Sequence, residues 1–402
     1  MKKFLLSLLI LVASLTTASA QRYMRIWQGD ESTRMPLQNI TYNNNGASIS
    51  AAGVTYPTSQ VDSITIVKQV SVAFNGTTAT VDLGNSTDMT YTINGAHVTL
   101  TNTNVTEEME VELSGSSTNG SFTYVGSYKT KIHLNGVNLT SLQGAALDIQ
   151  NGKRIDLILE DGTSNTLIDA SNGEQKACLY CKGHMEISGS GSLNVTGNTR
   201  HGISTKEYLI IKKSAGNVTI AKAVNDAIHA GQYFQMNGGT LNISGMGGDG
   251  IQAEITDDPT EEMNGQVLIK GGSITMTVAA NDTKGIKSDS LITISGGTFD
   301  ITVSGAGSKG ISSDTDMIIN EDDNTTKITI KATGAKYTDP VTKDDSKCMG
   351  IKVTDDLTIS AGTITVSKTY SSSKGIKVGG TYYAKGGTVT ADIDATATVK
   401  GQ

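Results

Sequence analysis

Proline occurs four times in this 402-residue chain, tryptophan once, phenylalanine five times and cysteine three times. The scarcity of aromatics argues against a site built from stacked sugar platforms. Trp27 is alone of its kind, and Tyr180, Tyr233, Tyr337, Tyr370, Tyr382 and Tyr383 are ordinary residues for a β surface. Cys178, Cys181 and Cys348 cannot all pair within one chain, and no further ligand pair at zinc-site spacing accompanies them. They read as small buried fillers. No nucleophile–histidine–aspartate order, phosphate-binding loop or haem motif is present. The net charge of −7 and the singly scattered lysines exclude a nucleic-acid partner.

Residues 1–20 read as an export signal. Lys2 and Lys3 precede the apolar run from Phe4 to Leu15, and Ala18-Ser19-Ala20 supplies the small-residue cleavage pattern. No cysteine near that cut suggests a lipid anchor, and no second apolar stretch approaches the ~20 residues of a membrane helix. The expectation is an exported protein, periplasmic, cell-surface or secreted, with no membrane span.

What is abundant is glycine, 45 residues, together with Thr, Ser, Ile and Val, a composition for many short strands joined by tight turns. The segments HGIST (201–205), DAIHA (226–230), DGIQA (249–253), KGIKS (284–288), KGISS (309–313), MGIKV (349–353) and KGIKV (374–378) recur in steps of 23–25 residues, lengthened twice. Insertions at 254–265, and at 321–326 with 335–347, account for the longer steps. After each segment come a short apolar strand such as LITIS (291–295) and a third of the form GGT-x-x-I. Three strands per repeat with glycine corners predict an all-β solenoid, a right-handed parallel β-helix. Alternation within each strand should stack Ile286, Ile311, Ile351 and Ile376 inward. The expected divisions are a signal peptide (1–20), a small N-terminal β segment (21–67), a β cap or irregular first coils (68–128) and the β-helix (129–402).

The residue preceding the Gly or Ala of each segment defines a corner column: His201, Asp226, Asp249, Lys284, Lys309, Met349, Lys374. Asp226 and Asp249 fall on adjacent coils, so their carboxylates can lie about 5 Å apart, repelling by roughly 3 kcal/mol at an effective dielectric of about 20. Two relationships would relieve this: a bound cation, for which calcium with its hard oxygen ligands is the natural choice, or a ladder in which Asp249 pairs with Lys284. Asn225, Asp282 and Glu254 lie near the same corner as further oxygen donors. Lys284, Lys309 and Lys374 continue the column, and Lys287 projects outward beside it. Stacked lysines favour a polyanion, although exposed lysines also blunt aggregation and bind nothing. His229, on the outer face of its strand, is a candidate sugar contact.

The run LNGVNL…AALDI…LILEDGTSNTLID, followed by repeated [D/K]GI-x-[S/A] and GGT-I-x-I segments, resembles the bacterial β-helix carbohydrate-binding family defined on a clostridial cellulose- and pectin-binding protein. The resemblance covers about 129–400 and implies a fold similar to family 9 pectate lyases, calcium binding, and polysaccharide binding without established catalysis. The expected function is therefore calcium-dependent, non-catalytic binding of a polysaccharide, an acidic pectin-like glycan in preference to cellulose. One alternative is a calcium-dependent polysaccharide lyase with Lys284 as base. Another is an adhesin-like surface solenoid whose calcium is structural only. The sequence does not indicate an oligomeric state.

Overall fold

The computed structural model describes residues 23–401, apart from 30, 67–68, 85 and 321–325; the expected export signal lies outside the described residues. The chain divides into two compact units, 1–69 and 70–402. In the first, Tyr23–Gln28 pairs antiparallel with both Glu31–Pro36 and Ser63–Ile66. A second three-stranded meander runs through Thr41–Asn43, Ser48–Ala51 and Val54–Pro57. Met24, Ile26, Met35, Ile49 and Tyr56 form their common core.

The larger unit is all-β and is built of long parallel ladders. It opens with antiparallel pairs, Gln69–Asn75 with Thr78–Asp82 and Met89–Asn94 with Ala96–Asn102. The parallel stacking begins earlier than the family-like repeats: Ala96–Asn102 already pairs in parallel with Gly120–Val125. From there one sheet continues through His201–Thr205, Ile228–Ala230, Ile251–Ala253, Lys284–Ser288, Lys309–Ser313, Met349–Val353 and Lys374–Val378. The second strands of the repeats, such as Ile292–Ile294 and Met317–Ile319, form another ladder. The third strands, such as Thr298–Val303 and Lys327–Ala332, form a third.

The registry follows from period-two alternation. Ile203, Ile228, Ile251, Ile286, Ile311, Ile351 and Ile376 are direct neighbours from coil to coil, each at most 1% exposed. Each buried isoleucine contributes roughly 1.5–3 kcal/mol against exposure. A single coil has no second apolar layer of its own, so the gain exists only when neighbours stack. A glycine precedes six of these seven isoleucines, Ala227 standing before Ile228, and at those glycines a Cβ would crowd the next coil. A Cβ on Gly285 would stand 2.5 Å from the carbonyl oxygen of Gly310, and one on Gly310 would stand 2.6 Å from that of Gly350.

The two insertions leave the ladders without breaking them. Residues 254–265 are tied by Gln232, whose amide donates to Glu261 Oε2 and to the Glu262 carbonyl. In the second, Tyr337–Thr338 and Asp345–Ser346 make a short antiparallel hairpin. Cys178, Cys181 and Cys348 are all buried free thiols.

Candidate functional site: a charged groove over a His–Asp–His corner

The first sheet carries an open groove of about 900 Å³ on its outer face. Lys176, Lys182, Arg200 and Lys206 line it from the earlier coils, Glu254 and Asp257 from the acidic insertion, and His201, Asp226 and His229 between them. Strands of a solenoid lie side by side at about 4.8 Å. Outward side chains of successive coils therefore form rows, and the sequence change from basic coils to the acidic insertion becomes a charge gradient across the groove.

Asp226 anchors the centre. It is 3% exposed, and its Oδ1 accepts the backbone N–H of Asp249 at 2.8 Å. Its Oδ2 lies 3.2 Å from Nδ1 of His201 and 3.2 Å from Nδ1 of His229. The two imidazoles stack, their centroids 4.6 Å apart. On its other side His229 Nε2 meets Glu254 Oε2 at 3.1 Å. Burial alone would push the Asp226 carboxyl up, but the two imidazoles and the Asp249 amide together hold it well below the usual carboxylate range. Burial pulls the His201 imidazole down, against the opposing pull of Asp226, so it favours the neutral form.

Asp249 repeats the backbone relationship one coil on: its Oδ1 accepts the N–H of Lys284 at 2.8 Å. Burial raises its pKa, while the Lys284 charge and amide oppose the rise. The expected link between Asp249 and Lys284 is thus present through the amide, while the Lys284 ammonium donates to the backbone carbonyl of Asp282. The Asn225 and Asp226 Oδ1 atoms converge on Gly248, where any Cβ would collide with both.

The other sequence-predicted residues are dispersed. Asp282 faces Lys309 at 3.1 Å and accepts from Ser346 at 2.7 Å. Lys309 is 7% exposed, donating also to the Gly307 carbonyl and to Ser346, so its ammonium is held inside the protein. Lys287 pairs with Asp289 at 2.7 Å and Lys374 with Asp394 at 3.0 Å. Lys287, Lys309 and Lys374 thus each meet a carboxylate of the protein itself, whereas the Lys284 ammonium meets a backbone carbonyl. Of the sugar-facing candidates, Tyr233 is buried and stacked on Tyr208, while Tyr180 lines the groove. Sequence reasoning missed Lys176, Lys182, Arg200 and Lys206. Their signal was their position on the coils immediately preceding Asp226.

Fold and groove together define a parallel β-solenoid with one charged, open face. A family model described as "Carbohydrate-binding domain-containing protein" matches residues 94–396, about three quarters of the chain, and the chain belongs to that family. A curated relative of the same description, from Acetivibrio thermocellus, is 31% identical over 101 residues, 23% of this chain and 35% of the relative. The chain thus spans about a third of that relative's length. Among solved structures, the polysaccharide lyase-like protein from C. thermocellum, a gadolinium derivative, superposes with a TM-score of 0.52 at 25% identity. That match covers 63% of this chain and 97% of the other. Among the described residues, no helix is long and apolar enough to cross a membrane.

Proposed function

We propose that this is an exported, non-catalytic polysaccharide-binding protein, wound as a right-handed β-helix, whose groove takes an acidic, pectin-like glycan. The handedness follows the strong preference of parallel crossovers. One observation carries the ligand class: Lys176, Lys182, Arg200 and Lys206 all line the groove, from both ends of the two strands preceding Asp226, where a uronate chain would find its countercharges. A neutral glucan such as cellulose offers them nothing. Calcium is proposed to strengthen binding from the acidic insertion, where Glu254 and Asp257 can share a hard cation with glycan carboxylates.

The test is affinity electrophoresis in gels containing polygalacturonate or a soluble cellulose derivative, with and without calcium. Wild type should be retarded by polygalacturonate, less so at high salt, since the Debye length contracts from ~10 Å at 0.1 M towards ~3 Å at 1 M. The Lys182→Gln/Arg200→Gln variant should run ahead of it. Equal retardation of both proteins by polygalacturonate would remove the basic residues from the account. Retardation by the cellulose derivative alone would move the ligand to neutral glycans.

The solved relative's description as polysaccharide lyase-like keeps a second reading in view, with Lys284 as the base. Its side-chain nitrogen donates to the Asp282 backbone carbonyl, so it is engaged within the protein and not free towards a substrate. Appearance of the ultraviolet absorbance of unsaturated uronates on incubation with polygalacturonate would establish the lyase instead.

A further inference from the structure

We propose that His201, Asp226 and His229 form a binding site for a divalent transition-metal ion of the zinc class, with its remaining coordination position open to the groove. The donor set is two imidazole nitrogens and one carboxylate oxygen, and one such atom from each residue lies within 4.8 Å of the other two. Both Nδ1 atoms are 3.2 Å from Asp226 Oδ2. A tetrahedral ion with bonds of about 2.05 Å holds its ligands roughly 3.3 Å apart. Calcium prefers six to eight oxygens; nitrogen donors of this kind select zinc, copper, nickel or iron.

A second observation points the same way. His201 is 1% exposed, yet neither of its ring nitrogens has a partner in hydrogen-bonding geometry, including the Nδ1 that stands beside Asp226. A buried imidazole without aligned partners carries a desolvation cost that nothing in the protein offsets. A metal ion would remove that cost at Nδ1.

The surroundings complete the arrangement. His229 Nε2 faces Glu254 Oε2 at 3.1 Å, the carboxylate–histidine pairing that orients metal-bound imidazoles and raises their basicity. Nδ1 of the same ring is the nitrogen turned towards Asp226 Oδ2. Asp226 Oδ1 is meanwhile fixed by the Asp249 amide, leaving Oδ2 as the free ligand atom. Binding requires one rearrangement: stacked rings cannot both aim in-plane lone pairs at one ion, so one ring must turn about χ2. His229, 18% exposed against 1% for His201, is the less enclosed of the two, and the exposed Glu254 side chain can follow its Nε2. The site lines the groove, so the open position would face a bound ligand or water.

The site does not depend on the glycan reading, and its test uses no glycan. The full chain, free of any affinity tag and stripped with chelator, is titrated calorimetrically with zinc chloride and, separately, with calcium chloride. Cobalt(II) serves as the optical probe. The expected result is one equivalent of zinc, undisturbed by excess calcium, with visible cobalt bands of a low-symmetry, nitrogen-containing site. Glu254→Gln should weaken zinc about 10–100-fold, and His229→Gln should abolish stoichiometric binding. Because His201 is buried, His201→Asn could fail to fold; the half-buried His229 and exposed Glu254 variants, with melting curves recorded on each, decide the matter without it. Absence of zinc binding to the wild type overturns the proposal. So does undiminished binding in a folded His229→Gln protein, and so does displacement of zinc by equimolar calcium.

Discussion

Asp226 accepts the backbone N–H of Asp249 at 2.8 Å, and Asp249 accepts that of Lys284 at the same distance. Two carboxylates that spacing alone would set against each other are thereby turned into successive rungs. Each has one oxygen satisfied by a peptide amide of the next coil. The charge repulsion between them remains, but it is opposed locally by imidazoles at Asp226 and by Lys284 at Asp249.

This predicts a difference between two substitutions at Asp249. Asp249→Ala leaves the part-buried Lys284 amide without its acceptor and should cost about 1 kcal/mol or more. Asp249→Asn keeps a carbonyl oxygen at the same place while removing the buried charge, so it should cost much less. Urea unfolding of the three proteins under chelator measures both. Equal losses would mean that the charge, and not the acceptor, is what the Lys284 corner needs.

The ladder was legible in the sequence because each coil repeats the same physical demand. Gly285, Gly310 and Gly350 recur where a Cβ would meet the next coil's carbonyl, and their following isoleucines recur where the core is stacked. The corner was legible only in part. His201 and Asp226 share a column of the repeat, and His229 follows three residues later, but the expectation weighed formal charges, and a neutral imidazole carries none. The fate of Lys309 was invisible for another reason. Its partner Ser346 comes from the hairpin in the second insertion, and an insertion has no period to read.

The glycine column yields a second prediction. At Gly310 an added methyl would face the Gly350 carbonyl at 2.6 Å and Ile330 Cγ2 at 3.0 Å. The first of these is backbone and cannot rotate away, so the coils must separate locally. Gly310→Ala should therefore cost about 1–3 kcal/mol, the range of overpacked cores. Ala227, which already stands in this column, should tolerate glycine at about 1 kcal/mol or less. A Gly310→Ala protein that melts with the wild type would show that adjacent coils yield freely, contrary to a column fixed by sterics.

The buried carboxylates predict an unusual dependence of stability on pH. Burial raises the pKa of Asp148, against hydrogen bonds from Gln150 and Gln175; it also raises Asp156, Asp169 and Asp249. A carboxyl whose folded pKa exceeds its unfolded value of about 3.9 binds more protons in the folded state between those two values. Its burial cost is fully present at neutral pH and is relieved as pH falls through the folded pKa. Asp226 and Asp282 have the opposite sign: both lie below the usual range, and their contribution is present above the unfolded pKa and lost as pH falls through the folded one. The lowered imidazoles of His201 and His184 oppose the gain from the raised carboxyls, costing stability as pH falls through their ordinary value near 6.5, so the carboxyl contribution is read as variant against wild type, with chelator present throughout. Asp148→Asn removes one of the raised groups while retaining an oxygen to accept from Gln150 and Gln175. It should raise the melting temperature at pH 7, and its advantage over wild type should shrink as pH falls through the raised pKa of Asp148. Thermal melts of both proteins from pH 7 to pH ~4 check the expectation; a difference between the two curves that stays constant over that range would mean that Asp148 ionises without penalty.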